Sequence, residues 1–321
     1  MQGVILAAGK GKRLQPITFH RSKAMAPVLG KPIVERVMDE LIASGVDEIV
    51  VVASPDDEEL VRYFSRQSAL RDRVRLVYQP ERLGMAHALQ CAAPLLHGEF
   101  VLCACDNLVP AEQAEKLVAR WQAAPQPNAV LALMEVDHDE VSKGGIVAMD
   151  GPWVTRIVEK PRPEEAPSNL YSMALYAFSP RILDYLPYVP RSPRGEYELQ
   201  DAIQALIERD GRVCGVTVTG RLTLTTPEDL LDINCRYLSS AGGTCLPAPD
   251  AVGPQSSLVA PLFVEHGAVI GPDCVVGPEV YLERDCRIGQ GVTLRRAIIL
   301  RGSVVPDGTS IQDQVWGPGE S

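Results

Sequence analysis

Gly3-Val4-Ile5-Leu6-Ala7-Ala8-Gly9 runs directly into Lys10-Gly11-Lys12-Arg13-Leu14-Gln15-Pro16-Ile17-Thr18, and Ser22-Lys23 follows. The apolar run has the length and bounding glycine of a buried strand. The glycines after it permit a loop whose N–H groups can approach an anion without obstruction by a Cβ. Lys10, Lys12, Arg13, Arg21 and Lys23 crowd this stretch with cations, although the whole chain carries a formal charge of −10. Positive charge concentrated on bare backbone implies a polyphosphate ligand. The loop is not a Walker A motif, because no Gly-Lys-Ser/Thr opens a helix. Nor is it a dinucleotide fingerprint, because the third glycine is missing.

Downstream, Ile33, Val34, Val37, Met38, Leu41 and Ile42 form the stripe of an amphipathic helix that Gly45 ends. Glu48–Ala53 reads as a buried strand, and strands at 74–78 and 100–105 flank a helix around 85–93. Such alternation predicts a mostly parallel sheet wound on both faces, with ligands at the carboxyl ends of its strands. From 128 to 179 the pattern changes to strands joined by turns. A helix over 196–210 and a last strand over 212–219 follow, and this first domain is expected to span 1–238.

A linker is expected over 239–251, from Ser239-Ser240-Ala241-Gly242-Gly243 to Pro247-Ala248-Pro249-Asp250. Beyond it, Val252, Leu258, Val264, Ile270, Val276, Leu282, Ile288, Leu294 and Leu300 recur every sixth residue. Positions four further on, from Ser256 to Ile298 and Val304, are small or apolar. The repeat resembles a left-handed parallel β-helix over 252–317, three hexads to a coil, with the repeating aliphatic residues facing a common interior.

Hydrophobic residues at 46% and charged residues at 22% are ordinary for a globular chain of 321 residues, which has material for about two domains. The acidic balance and the lack of a basic stripe argue against nucleic acid or an anionic membrane as partner. No apolar run approaches the roughly 20 residues of a membrane span, and no leader-like segment opens the chain, so a cytoplasmic protein is expected. Eight cysteines without a CxxC pair or zinc spacing read as reduced core residues.

The glycine loop, with Lys23 and Pro27-Val28-Leu29-Gly30-Lys31-Pro32, resembles the signature of the sugar-1-phosphate nucleotidyltransferases, LAAGxGxRLxPxT, a lysine, then PVxGKP. The resemblance covers essentially the whole chain. It implies an α/β fold, a Rossmann-like mixed, mostly parallel sheet, followed by the short β-helix. It also implies transfer of a nucleotidyl group from UTP or dTTP to a sugar 1-phosphate with release of pyrophosphate. By that resemblance Arg13 clamps the triphosphate and Lys23 bridges the reacting phosphates. Leu6, Ala7, Ala8, Gly9 and Gly11 line the nucleotide. Tyr78-Gln79-Pro80 and Gly84-Met85-Ala86-His87-Ala88 resemble the base-holding segment, with Gln79 reading the pyrimidine edge and Gly84 beside it. His87 is expected to be a packed or surface residue.

Asp106-Asn107, after the strand at 100–105, resembles the segment that holds Mg²⁺ against the α-phosphate, with Cys105 where glycine is usual. Gly145, the Glu159-Lys160 pair, Asn169 and Glu198 match the sugar-phosphate pocket. Thr223 stands where the resemblance places a second metal-binding carboxylate, leaving Asp229 and Asp232 as open substitutes. Two other readings compete: a non-catalytic homologue that binds a nucleotide sugar, and a bifunctional nucleotidyltransferase and acyltransferase. The β-helix is expected to assemble a homo-oligomer. Since every assigned residue precedes Leu238, a chain cut there is expected to keep its chemistry.

Overall fold

The computed structural model describes residues 1–123, 125–220, 222–240 and 244–317. The chain divides into two compact units, Met1–Gly9 with Val37–Arg221, and Lys10–Arg36 with Leu222–Ser321. Of the expected linker, residues 241–243 lie outside the described residues.

In the first unit, β1 (Gln2–Leu6), β2 (Glu48–Ala53), β3 (Val74–Tyr78) and β4 (Phe100–Ala104) form a parallel block in the order β3-β2-β1-β4. Val4, Ile5 and the run Ile49–Ala53 are completely buried, as strands covered on both faces require. The sheet continues through β5 (Ala129–Glu135), β6 (Gly145–Asp150), β7 (Trp153–Glu159), β8 (Leu170–Phe178) and β9 (Val213–Thr217), giving nine strands in the order 3-2-1-4-8-5-9-7-6. Here β8 runs antiparallel to both β4 and β5, so the sheet is mixed. The helices α1 (Ile33–Ala43), α2 (Met85–Ala92) and α4 (Leu199–Arg209) lie within three residues of their expected bounds, and α3 (Ala111–Gln122) joins them without a prior expectation. Leu89, Ala92, Leu199, Ile203 and Leu206 enter the core with Val4, Leu102 and Phe178. Each of the leucine, isoleucine and valine side chains among them contributes about 1.5–3 kcal/mol on burial.

In the second unit, α5 (Pro227–Ser239) starts on a capping box. The Thr226 hydroxyl accepts from the Asp229 N–H, and Asp229 accepts from the Thr226 N–H. The repeats after it stack as parallel strands at three hexads to a coil: Ser257 pairs with Val275, and Val275 with Thr293. The hexad register then slips by one residue between Leu294 and Ala297. Leu282 pairs with Ile299 and Ile288 with Val305, so Ala297, Ile299 and Val305 fill the interior. The expected series therefore fails at its end, where Val304 is 61% exposed. Arg296, at the slip, has φ 43° and makes the corner that absorbs the missing residue.

Six of the eight cysteines are buried, whereas Cys91 is half-buried and Cys245 exposed. No helix of the described residues is long and apolar enough to cross a membrane.

Candidate active site

The expected site residues fall in both units. Leu6, Ala7, Ala8, Gly9, Gln79, Gly84, Asp106, Gly145, Glu159, Lys160, Asn169 and Glu198 belong to the first, and Gly11, Arg13 and Lys23 to the second.

At the carboxyl ends of the parallel block, the Ala7 N–H donates to Val52 O at 2.8 Å and the Cys105 N–H to Leu6 O at 3.1 Å. These two bonds bring the start of the glycine loop and the turn carrying Asp106 to neighbouring strand ends. Since the Ala7 N–H is taken by the sheet, backbone donors for an anion begin at Ala8. Arg82, which the sequence reading did not single out, locks this point. Its Nε donates to Ala8 O at 2.7 Å and its Nη2 to Ser54 Oγ at 2.7 Å. A cation between two assigned segments, Gln79 and Gly84, was the signal for it.

Gln79 is buried, with 4% of its surface exposed. Its Nε2 donates to Gly84 O at 3.0 Å and lies 3.1 Å from His87 Nδ1. His87 is therefore a partner that orients Gln79. Gly84 has φ 99°, and a Cβ there would stand 2.6 Å from Tyr197 O, so this close backbone approach demands glycine. The Ala86 N–H to Tyr197 O and Tyr197 N–H to Leu83 O bonds, at 3.0 and 2.7 Å, join this segment to the one carrying Glu198.

Strand register builds the second group. Gly145 pairs with Glu159 on one side and Ser172 on the other. Lys160, at φ 46°, is held by its N–H to Gly144 O at 2.9 Å, and its Nζ lies 3.5 Å from Glu159 Oε1. Glu198 is buried and accepts from Ser192 Oγ and Arg194 Nη2, both at 2.8 Å. Arg194 also reaches Glu159 Oε1 at 3.4 Å, so one guanidinium bridges both carboxylates. Arg194 was missed although it immediately precedes the matched Gly195–Asp201 segment. Glu159 Oε2 is buried without a hydrogen-bond partner in the described structure. Burial pushes the Glu159 carboxyl above its ordinary pKa, and Glu198 adds to the rise while Lys160 and Arg194 oppose it. Asn169 is exposed just before β8, its carbonyl accepting from the Val136 N–H at 3.0 Å.

Asp106 is half-buried at its strand end. Among the described residues no group of three His, Cys, Asp or Glu side chains could hold a metal. One carboxylate in a turn at the mouth of a parallel block nevertheless fits Mg²⁺, which commonly takes one or two carboxylates and completes its shell with water and substrate phosphates.

In the second unit, Arg13 is exposed and Lys23 half-buried. Arg21 departs from expectation. Its side chain is only 4% exposed and is paired with Glu283, so it leaves the set of cations available to a ligand. The two substitutes for the missing carboxylate are also engaged: Asp229 in its capping box and Asp232 with Arg296. The Thr223 hydroxyl is buried without a hydrogen-bond partner in the described structure.

A family model described as nucleotidyl transferase matches residues 2–240, and one described as GMPPB C-terminal domain matches 258–320. The UTP–glucose-1-phosphate uridylyltransferase AglF of Haloferax volcanii is 36% identical over 231 residues, covering 71% of this chain and 93% of AglF. A glucose-1-phosphate thymidylyltransferase of Streptomyces griseus is 28% identical over 335 residues, covering 99% and 92%. The UTP-bound UGPase from Acinetobacter baumannii superposes with a TM-score of 0.63 at 25% identity, covering 74% of this chain and 92% of that one.

Proposed function

The chain belongs to the nucleotidyl transferase family, and from that membership we propose that it joins UTP or dTTP to glucose 1-phosphate, releasing pyrophosphate. It is a sugar-1-phosphate nucleotidyltransferase; the choice of base, sugar and metal is the proposal. The choice of a uracil or thymine nucleotide and of glucose draws on the names of the two relatives. The observation that carries the chemistry is the junction of the glycine-loop start with the Asp106 turn at the Leu6 and Cys105 strand ends.

The sugar-phosphate oxygen is already anionic, so no protein nucleophile is needed. It attacks the α-phosphorus in line, the bond from that phosphorus to the bridging oxygen breaks, and pyrophosphate leaves with the electron pair. Arg13 and Lys23 hold the triphosphate and neutralise charge that grows on it in the transition state. Gln79, held by Gly84 O and His87, presents its amide to the pyrimidine edge. Glu159 and Glu198 accept from sugar hydroxyls, and Lys160 binds the sugar phosphate. Asn169 completes the hydroxyl contacts. Asp106 would hold Mg²⁺, which supplies further charge neutralisation at the α-phosphate.

Four nucleoside triphosphates tested against a set of hexose 1-phosphates decide the substrate. UTP or dTTP with glucose 1-phosphate is expected to turn over fastest, and a preference for ATP or GTP contradicts the assignment of Gln79.

The raised Glu159 carboxyl gives a pH prediction. Because its pKa lies above the ordinary glutamate value, acidification neutralises it before an unperturbed carboxylate, and an acceptor for the sugar is lost. KM for the sugar phosphate is therefore expected to rise on acidification from a pH above the usual carboxylate range. Glu159→Gln should flatten that rise, and an unchanged profile in this variant contradicts the assignment.

Self-association through the β-helix is part of the same proposal, supported by the outward side chains of Val269, Val275 and Val304. A cytoplasmic setting is proposed from the largely buried cysteines, which carry neither a CxxC pair nor zinc spacing.

A further inference from the structure

Arg21 lies between Arg13 and Lys23 in sequence, yet its guanidinium turns inward. Nη1 and Nη2 donate to Glu283 Oε1 and Oε2 at 2.8 and 2.9 Å, a bidentate fork in which the two side chains are 4% and 6% exposed. Glu283 is itself fixed, since its Oε2 also accepts from the Arg301 N–H at 2.8 Å. The Arg301 side chain adds a bond from Nη2 to His20 O at 3.1 Å. Two residues of the β-helix, Glu283 and Arg301, therefore grip adjacent residues of the signature loop, His20 and Arg21.

A second grip lies further along the loop. The Gly30 N–H donates to the Tyr281 hydroxyl at 3.2 Å, and that buried hydroxyl donates in turn to Glu265. The Leu29 N–H donates to Asn234 Oδ1 at 3.0 Å, and Asn234 Nδ2 donates to Pro27 O at 3.1 Å. The segment from His20 to Gly30, with Lys23 inside it, is thus tied down on both sides of that lysine.

Packing carries the constraint to the glycine turn. Gly11 has φ 63°, and a Cβ there would stand 2.9 Å from Lys23 Cβ, 3.2 Å from Thr18 Cγ2 and 3.3 Å from a Leu14 methyl. Thr18 Oγ1 donates to Gly11 O at 2.9 Å. The turn carrying Arg13 and the turn carrying Lys23 therefore cannot shift independently. A buried ion pair is weak as a source of net stability but exacting in geometry, because desolvation offsets most of its attraction.

We propose that Arg21 and Glu283 are positioning residues through which the β-helix sets the geometry of the loop bearing Arg13 and Lys23. This rests on the transferase reading. It replaces the expectation that a chain cut after Leu238 keeps its chemistry, since the cut removes Glu283, Arg301 and Tyr281.

The test uses full-length protein. Glu283→Gln keeps the shape but places an NH₂ against a guanidinium donor. Its kcat is expected to fall at least tenfold, with KM for the nucleotide changed much less, in protein whose circular dichroism is that of wild type. The double variant Arg21→Met/Glu283→Leu guards against misfolding, because an apolar pair of similar volume often restores stability. Its thermal midpoint should return toward wild type while kcat stays low. Wild-type kcat in folded Glu283→Gln, or recovery of kcat together with stability in the double variant, makes the pair a packing element and overturns the inference. An inactive wild-type protein in the nucleotide and sugar-phosphate panel instead refutes the transferase reading, so the two failures are distinct.

Discussion

Asp106→Asn is expected to reduce turnover to the limit of detection and to make the residue that remains demand far more Mg²⁺. The amide has the shape of the carboxylate and lacks its charge, so the strand end and its Cys105 to Leu6 hydrogen bond should persist. On the proposed role of Asp106, what is lost is an acidic ligand to which the described residues offer no replacement. Among the described residues there is no cluster of metal-ligating side chains, Asp229 caps a helix, and Asp232 is paired with Arg296. With substrate phosphates and water as its remaining ligands, a hard cation would bind weakly. A Mg²⁺ titration of turnover checks this, and a variant matching wild type at the same metal concentration contradicts the role of Asp106. The hydroxyl of Thr223, which has no hydrogen-bond partner among the described residues, offers no comparable charge.

Lys23→Ala and Arg13→Ala are each expected to lower kcat/KM by about 10²-fold or more, equivalent to about 3 kcal/mol. In the proposed roles both cations meet charge that grows mainly in the transition state, so the loss should appear largely in kcat. The same substitution at Lys12, an exposed neighbour in the loop, is a control for a general loss of positive charge. Near-normal turnover in the Lys23 or Arg13 variant contradicts the assignment of that residue.

Much of the fold was legible because period and punctuation are local. The apolar runs at 3–9, 48–53 and 100–105 carry the signature of strands buried on both faces, and the hexads betray a stack of three per coil. The pairing of β8 with β4, β5 and β6 was not legible, since antiparallel partners remote in sequence leave no local mark. Nor was the slip after Leu294. Ile298 and Leu300 are as apolar as Ala297 and Ile299, and only the turn at Arg296 selects the latter pair for the interior.

The site shows the same division. Motif residues could be named one by one, but a cation's partner cannot be read from its neighbours in sequence. Arg21 looked like part of the phosphate cluster because Glu283 is far along the chain. Arg82 and Arg194 each lay beside a recognised segment and were passed over, because their roles depend on Ala8 O and on the Glu159–Glu198 pair. His87 gained its meaning only from the buried amide of Gln79.

The most direct test of the central claim follows pyrophosphate and nucleotide sugar together, using UTP or dTTP with glucose 1-phosphate, and repeats the incubation without the sugar phosphate. Direct attack by the sugar phosphate predicts one pyrophosphate for each nucleotide sugar formed, and no exchange of labelled pyrophosphate into the triphosphate when the sugar phosphate is absent. Exchange in its absence would reveal a nucleotidylated protein intermediate, and binding of both ligands without pyrophosphate release would reveal a protein that holds these molecules but does not join them; either result contradicts the account.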